Sequence, residues 1–305
     1  MKRRTFTQAL LALGASSAFA KAKTISDAAS KQMLANKIPS TGELIPVIGL
    51  GTNKNLNIDL SSKELPERLQ LVKTFFDLGG EMLDSSPMYG SSEEVIGYCL
   101  EQLGYPKKLF SATKVWTRGK QAGIEQMQES LRLWRLKSFD LMQIHNLVDW
   151  KLHLKTLRQW KQVGLINYLG ITTYAGREHQ ALIEIMKTEP LDFVQITYNI
   201  RDRKVEKYLL PLALDKGIAI IVNRPFKELF GYTKGKQLPS YATELGCNTW
   251  AQFYLKFAIS HPAVTCAIPA TSKIKHLKDN MAAGTGLLPD DKLRQEMINT
   301  CERYL

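Results

Sequence analysis

Short apolar runs alternate with longer amphipathic stretches along most of the chain, and this pattern predicts a barrel of parallel strands. Each short run is rich in Val, Ile, Leu and Phe, as expected of a strand buried on both faces. Each longer stretch repeats apolar residues three or four positions apart, as expected of a helix with one face packed on a sheet. The predicted strands cover residues 47–51, 81–84, 109–114, 139–145, 166–172, 193–197, 218–222 and 264–268.

Helices predicted between these strands complete eight strand–helix units. Seven of these helices cover residues 66–78, 123–134, 152–163, 177–187, 204–216, 249–259 and 274–283. One more helix, between the second and third strands, is predicted to begin near residue 91. Eight units over about 270 residues predict an α/β fold, a (β/α)8 TIM barrel. We also expect an N-terminal β-hairpin over Ile38–Ile45, a long loop over 224–247 and an extra C-terminal helix at 290–303.

The first 20 residues resemble a twin-arginine export signal. Arg3-Arg4-Thr5-Phe6 supplies the paired arginines, and an apolar run follows over residues 9–20 that is too short to span a bilayer as a stable helix. Ala18-Phe19-Ala20 fits a signal-peptidase site. An ordinary secretion leader and an uncleaved anchor are the alternatives.

This reading divides the chain into a signal peptide at 1–20, a flexible tether at 21–37 and a barrel at 38–305. The resemblance implies folding in the cytoplasm, passage through the twin-arginine export machinery and a periplasmic location. We expect no stable transmembrane span in the mature chain and a monomer.

Composition narrows the range of partners. The chain of 305 residues is 44% hydrophobic, which suits one large soluble core. Its formal net charge is +12, but Lys and Arg are scattered without a long basic run, so we expect one anion site and no nucleic-acid partner. The four cysteines show no metal-type spacing, and no metal is predicted. Cys99 and Cys266 are expected to be buried thiols.

Polar residues close three successive predicted strands at nearly equal intervals. Asp84 ends one strand, Lys114 follows 30 residues later and His145 another 31 residues on. Tyr89 lies five residues after Asp84, in a loop where Pro87 and Gly90 break any helix or strand. Because parallel strands place their carboxyl ends on one face of a barrel, these side chains are expected to meet in one mouth. Any one of them alone would more often be structural.

Several phased segments resemble the aldo/keto reductase family over residues 38–301. They are Val47-Ile-Gly-Leu-Gly-Thr52, Leu83-Asp-Ser-Ser-Pro-Met-Tyr-Gly90, Ala112-Thr-Lys114, Gln143-Ile-His145, Leu169-Gly-Ile-Thr172, Gln195-Ile-Thr-Tyr-Asn199, Ile268-Pro269 and Asp279-Asn280. The resemblance implies that Asp84, Tyr89, Lys114 and His145 are catalytic. Tyr89 would protonate the carbonyl oxygen, Lys114 would lower the pKa of Tyr89, Asp84 would hold Lys114, and His145 would orient the carbonyl.

The family binds NADP(H) or NAD(H) across the barrel mouth, and the resemblance implies NADP(H) here, with NAD(H) as the alternative. The cofactor-binding residues it implies are Gly51, Thr52, Thr172, Thr173, Gln195, Asn223, Arg224, Phe226, Thr271, Lys273, His276, Asp279 and Asn280. Asn223 stands where many members have a Tyr that stacks on nicotinamide. Ala270 and His276 replace the basic residues usual near the 2′-phosphate.

These features predict an NAD(P)H-dependent oxidoreductase that reduces small aldehydes or ketones, or runs in reverse. Met88, Trp116, Asn146 and Trp150 are expected to line the side that receives the small carbonyl substrate. One alternative is an exported nucleotide-binding or sensory barrel without significant turnover, because the periplasm offers no obvious supply of reduced nicotinamide. Another is a different barrel enzyme that uses the Lys–Asp pair for hydrolysis or isomerisation.

Overall fold

The computed structural model describes residues 32–304, so the predicted signal peptide and most of the predicted tether lie outside the described residues. The strands are β1 (Ala35–Lys37), β2 (Leu44–Pro46), β3 (Leu50–Gly51), β4 (Met82–Asp84), β5 (Phe110–Val115), β6 (Phe139–His145), β7 (Ile166–Thr172), β8 (Phe193–Thr197), β9 (Ala219–Asn223) and β10 (Val264–Ala267). The helices are α1 (Leu65–Asp77), α2 (Ser92–Gln102), α3 (Lys120–Trp134), α4 (Trp150–Gln162), α5 (His179–Thr188), α6 (Leu209–Lys216), α7 (Leu229–Thr233), α8 (Trp250–Ile259), α9 (Ile274–Ala282) and α10 (Asp291–Glu302).

Eight parallel strands form a closed barrel, which confirms the fold class expected from the sequence. Strands β3 to β10 pair in sequential order. Parallel bridges from Ile48 to Ala267 and from Gly51 to Ala270 close the seam between the first and last strands. A Cβ at Gly51 would lie 2.8 Å from the carbonyl oxygen of Ile268, so the seam requires a residue without a side chain at this point.

The strands alternate between an apolar barrel interior and an apolar layer beneath the helices. Along β6, Leu141 belongs to the interior cluster, whereas Met142 and Ile144 belong to the cluster that contacts the helices. Successive side chains of a strand point to opposite faces. Gln143 and His145 therefore share the interior face with Leu141, at the carboxyl end of the barrel.

An antiparallel hairpin of β1 and β2 closes the opposite end. Ile38 and Ile45 join the interior cluster, and the Thr41 hydroxyl lies 2.8 Å from the hydroxyl of Tyr168 on β7. Tyr168 also donates to the Glu43 carboxylate at 2.5 Å. The sequence predicted this hairpin over Ile38–Ile45. Its first strand in fact begins at Ala35, within the last residues of the predicted tether.

Two predicted elements were wrong in detail. The single helix predicted over 204–216 is a 3-10 turn at Lys204–Lys207 followed by α6, because Pro211 lacks an N–H and its ring would clash with the carbonyl four residues earlier. The loop predicted over 224–247 contains α7 and a 3-10 turn at Ser240–Thr243. Within residues 32–304, no helix combines the length and apolarity needed to cross a bilayer.

Candidate active site

The four phased residues converge at the carboxyl end of the barrel. Asp84 is the last residue of β4 and His145 the last of β6, while Lys114 is the penultimate residue of β5. Tyr89 follows on the loop after β4, where its backbone N–H donates to the Ser86 carbonyl at 2.9 Å. The parallel register therefore brings one carboxylate, one amine, one imidazole and one phenol to a single mouth.

Asp84 and Lys114 form a buried ion pair beneath this mouth. The Lys114 Nζ donates to the Asp84 Oδ1 at 2.6 Å, and the side chains are 0% and 2% exposed. Burial acts to lower the pKa of Lys114, but the charge of Asp84 and its hydrogen bond, together with the charges of Tyr89 and Glu93, hold that pKa above its ordinary value. Lys114 therefore stays a cation at neutral pH, as the sequence predicted when it paired these two residues.

A chain of side-chain amides fixes the second oxygen of Asp84. Gln143 and Gln195 each donate from Nε2 to the Asp84 Oδ2 at 2.9 Å. Asn223 continues the chain across β9, donating from Nδ2 to the Thr173 carbonyl at 3.0 Å and accepting from the Thr197 hydroxyl at 2.6 Å. Asp84 thus receives one amine and two amide donors, which hold its carboxylate in place.

Tyr89 lies above the ion pair and beside His145. The Lys114 Nζ is 5.4 Å from the centroid of the Tyr89 ring, and the Tyr89 and His145 rings meet edge to face at 6.1 Å between centroids. Burial raises the pKa of Tyr89 above its ordinary value and outweighs the lowering effect of Lys114. Lys114 therefore acts on the pKa of Tyr89 in the direction predicted from the sequence, but the low-dielectric surroundings, which the sequence analysis did not weigh, have the larger effect and set the net direction.

His145 is neutral at physiological pH and has one ring nitrogen held by a serine. Burial, together with the charge of Lys114, lowers the pKa of His145 to about 3. The Nδ1 of His145 lies 2.8 Å from the Ser86 hydroxyl. A neutral imidazole carries one donor and one acceptor nitrogen, so His145 can hydrogen-bond a carbonyl without carrying charge.

A cleft of about 550 Å³ opens over these residues. Asp84, Tyr89 and His145 lie on its wall. Predicted cofactor residues that also line it are Gly51, Thr52, Thr172, Gln195, Asn223, Arg224 and Phe226. The cations Lys54 and Lys227 complete a polar rim that suits an anionic ligand.

A second cleft of about 370 Å³ adjoins the first and shares Phe226 and Ala270 with it. It collects four of the predicted cofactor residues: Thr271, His276, Asp279 and Asn280. Its wall is aromatic, with Phe230 and Trp250 beside Phe226. The Asp279 carboxylate accepts from the Thr249 hydroxyl at 2.8 Å and from the Gln252 amide at 2.7 Å, so its position is fixed from below.

Comparison with known proteins identifies the family. The model of the Aldo/keto reductase family matches residues 47–296. The chain belongs to the aldo/keto reductase family. Aldo-keto reductase YhdN of Bacillus subtilis is 25% identical over 222 residues, which are 68% of this chain and 66% of YhdN.

Solved structures share the family fold. The holo form of aldo-keto reductase AKR11C1 from Bacillus halodurans superposes with a TM-score of 0.72 and 22% identity over 88% of this chain and 96% of that chain. An aldo/keto reductase from Klebsiella pneumoniae in complex with NADP and acetate gives a TM-score of 0.71 and 21% identity, covering 85% and 92% of the two chains. The agreement extends across nearly the whole of each relative and shows that the barrel is the family fold.

The residues predicted for the substrate side are only partly gathered at the reductase cleft. Met88 lines the cleft and is 40% exposed. Trp116 is 41% exposed with its ring 6.4 Å from that of His145. Asn146 and Trp150 do not line the cleft; Trp150 begins α4 and packs on the outer core.

Two predicted cofactor residues also lie away from the clefts. Thr173 is 3% exposed, and its carbonyl is occupied by the amide of Asn223. Lys273 is exposed just before α9 and lines neither cleft. Its position at the N-terminal end of that helix still suits an anion at the edge of the second cleft.

Sequence reasoning missed some residues that the structure places at the site. Tyr174 lines the main cleft, and its ring lies 4.4 Å from the guanidinium carbon of Arg224. Ser86 contacts His145, and Gln143 contacts Asp84. Ser86 and Gln143 lie in segments that resemble the family, but neither was predicted as a site residue. Their inward direction could have been read from the alternation of the strands that carry or precede them.

Proposed function

We propose that this aldo/keto reductase reduces small aldehydes or ketones to alcohols with NADPH, or runs the reaction in reverse. The observation that carries the proposal is the meeting of Tyr89, His145 and Asp84 at one cleft, with the buried Lys114 amine paired to Asp84 beneath it and close to the Tyr89 ring. A reduced nicotinamide, when bound, supplies a hydride to the carbonyl carbon. The residues of the chain must then stabilise the negative charge that develops on the carbonyl oxygen and supply a proton to it.

Tyr89 is the proposed proton donor. Because burial raises the pKa of Tyr89, the phenol keeps its proton through neutral pH and is available to the oxygen. Once that proton has left, the cation of Lys114 beside the ring stabilises the phenolate. The two effects act at different moments: burial secures the donor before transfer, and Lys114 reduces the cost of giving the proton up.

Asp84 and His145 have supporting roles in this proposal. The ion pair with Asp84 helps to hold the buried Lys114 amine in place. Neutral His145 donates a hydrogen bond to the carbonyl oxygen and so orients it toward Tyr89. An imidazolium would place a second full positive charge beside Lys114, which the low pKa of His145 excludes at neutral pH.

The clefts fit a nicotinamide dinucleotide. The main cleft and its neighbour meet at Phe226 and Ala270, which line both. The main cleft is rimmed by polar and charged residues, and the second cleft is lined by aromatic ones. Thr172 and Gln195 offer donors and acceptors for a carboxamide, and Arg224 suits a phosphate. We assign the aromatic second cleft to the adenine and the N-terminal end of α9 to a 2′-phosphate.

Replacing Tyr89 by Phe tests the assignment. The parent should oxidise NADPH with an aromatic aldehyde, and Tyr89→Phe should lower kcat by roughly 10²- to 10⁴-fold because the proton donor is lost. Its dissociation constant for NADPH, followed by cofactor fluorescence, should stay near the parental value. Tyr208→Phe is the matched control, since Tyr208 is 58% exposed and remote from the cleft.

The same assay separates the alternatives. Tight NADPH binding without turnover across a broad panel of carbonyl compounds would favour a nucleotide-binding sensory barrel. Failure to bind either NADPH or NADH would favour a different barrel enzyme. Unchanged turnover in Tyr89→Phe would remove Tyr89 as the proton donor whatever the cofactor.

We further propose that the protein is exported through the twin-arginine pathway and acts in the periplasm. The support lies in Arg3-Arg4-Thr5-Phe6, the short apolar run behind it and Ala18-Phe19-Ala20. That pathway carries folded proteins, so a cofactor bound in the cytoplasm could travel with the barrel. Fractionation of expressing cells measures where the protein resides.

A further inference from the structure

We propose that Ser86 is a positioning residue that fixes the proton of His145 on Nε2, so that the imidazole presents a donor to the carbonyl oxygen. This inference rests on the proposed reductase function for its catalytic meaning, but its structural content does not. Ser86 lies on the loop between Asp84 and Tyr89, 59 residues before His145 in the chain. It has no role in the motif-based assignment of the four catalytic residues.

The contact between the two side chains is sheltered from solvent. Ser86 is 0% exposed and His145 is 5% exposed. The Ser86 Oγ lies 2.8 Å from the Nδ1 of His145, a normal length for such a bond. The backbone N–H of Met88 approaches the same Oγ at 3.4 Å as a donor. The Ser86 oxygen therefore accepts one hydrogen bond from the backbone of Met88.

Counting donors and acceptors decides the direction of the bond. A serine hydroxyl has one proton to donate and two lone pairs that accept. Among the described residues, Nδ1 of His145 is the acceptor within reach of the Ser86 hydroxyl proton. If Nδ1 carried the proton instead, the Ser86 oxygen would accept from Nδ1–H, and the buried hydroxyl proton would be left without an acceptor among the described residues. Leaving a buried donor without a partner costs about 1–3 kcal/mol.

The neutral state of His145 completes the argument. Burial and the charge of Lys114 lower the pKa of His145 to about 3, so the ring carries a single proton at neutral pH. With Nδ1 accepting from Ser86, that proton resides on Nε2, the nitrogen on the far side of the ring. Because His145 lines the cleft, a fixed Nε2–H supplies the hydrogen-bond donor that the proposed function requires.

The loop also links the two groups that would act on one oxygen. The Tyr89 N–H donates to the Ser86 carbonyl at 2.9 Å, and the Ser86 side chain holds His145. A single serine thus fixes the start of the turn that carries Tyr89 and the tautomer of His145. We expect the rings, which meet edge to face, to keep their mutual placement only while both bonds are intact.

The test uses nitrogen-15 NMR of histidine-labelled full-length protein. The chain has five histidines, and the His145 signals can be assigned by their loss in His145→Gln. In the parent, Nδ1 should have the chemical shift of an unprotonated nitrogen and Nε2 that of a protonated one. In Ser86→Ala the two tautomers should exchange, moving both shifts toward each other.

Kinetics supply the second measurement. Ser86→Ala should lower kcat/KM for the carbonyl compound by roughly 3- to 10-fold, as a lost net hydrogen bond implies, with an unchanged dissociation constant for NADPH. Ser85→Ala is the matched control. The neighbouring Ser85 is also 0% exposed, but its hydroxyl has no hydrogen-bond partner among the described residues. Its variant should keep the parental His145 shifts and kinetics.

The outcomes are distinct. A protonated Nδ1 in the parent overturns the proposal, and so does a Ser86→Ala variant whose shifts and kcat/KM match the parent. Equal effects in Ser85→Ala and Ser86→Ala would reduce Ser86 to loop packing and also overturn it. If the parent shows no carbonyl reduction, the proposed function fails while the NMR result on the parent still decides the tautomer. That spectrum also stands if Ser86→Ala does not fold.

Discussion

Replacing Asp84 by Asn should make the barrel unstable in a way that depends on pH. The Lys114 amine lies 2.6 Å from the carboxylate, and neither side chain has appreciable contact with water. Asn keeps the shape of Asp84 and part of its hydrogen bonding but removes the negative charge. Leaving one member of a buried ion pair without its partner typically costs about 3–5 kcal/mol. We therefore expect the free energy of unfolding at neutral pH to fall by about that amount.

The pH dependence follows from the two states of Lys114. In the parent, its folded-state pKa is raised above the ordinary value of 10.5, so its stabilising contribution is complete below that pH and is lost as pH rises through the folded-state pKa. In Asp84→Asn the two contributions of Asp84 are lost and burial is the largest that remains, so we expect the pKa of Lys114 to fall below its ordinary value. The unfolded variant then binds more protons than the folded one, so its stability rises with pH.

Urea unfolding at neutral pH and near pH ~9.5 measures both effects. The deficit of Asp84→Asn relative to the parent should shrink at the higher pH. Asp77→Asn is the control. The ion pair of Asp77 with Lys73 has a similar length, 2.7 Å, but both of its side chains are about half exposed. That variant should lose less than about 1 kcal/mol at either pH.

A double variant tests whether Lys114 is the cause. Combining Asp84→Asn with Lys114→Met removes the uncompensated charge, so it should recover part of the stability lost by Asp84→Asn alone. A pH-independent deficit, or a double variant no more stable than the single one, would refute the reasoning. Reductase activity should be lost in both variants, which separates this stability argument from catalysis.

Two further predictions concern helix packing and export. Gly97→Ala should destabilise the fold by about 1–3 kcal/mol in urea unfolding, because the new Cβ would lie 1.9 Å from the backbone oxygen of Leu133. Gly231→Ala, which meets nothing within 4 Å in a helix, should be neutral or mildly stabilising, and equal losses in the two variants would contradict the steric argument. Replacing Arg3 and Arg4 by Lys should retain the protein in the cytoplasmic fraction, and undiminished periplasmic recovery would exclude a twin-arginine route.

The sequence predicted the barrel and the convergence of polar residues because both follow from local periodicity. The nearly equal spacing of Asp84, Lys114 and His145 places each of them at or next to the carboxyl end of its strand. The register of β4, β5 and β6, which pairs Asp84 with Ala112 and Lys114 with Gln143, brings them to one mouth. Their catalytic roles stay predictions. The contact between Lys114 and Asp84 was implied by the family resemblance, and the pairing of β4 with β5 makes it possible.

Features that depend on loops were less accessible. After β6 the chain turns through Asn146, Leu147 and Asp149, all with positive φ between 44° and 56°. Residues other than glycine seldom adopt positive φ, so the sequence contains no pattern that predicts this turn. It delivers Trp150 to the start of α4, against the outer core, and away from the cleft where the sequence had placed it.

The protonation state of the site also lay beyond sequence reasoning, because it is set by burial and by one buried cation that acts on several partners. Lys114 lowers the pKa of Tyr89 and that of His145, while burial raises the first and lowers the second. Only the folded arrangement fixes which effect dominates, and the result is a protonated phenol beside a neutral imidazole. Both groups can then donate to one oxygen at neutral pH. Asp84 helps to maintain this state by keeping Lys114 charged, so a change at Asp84 should disturb the pKa of Tyr89, the pKa of His145 and the stability of the barrel together.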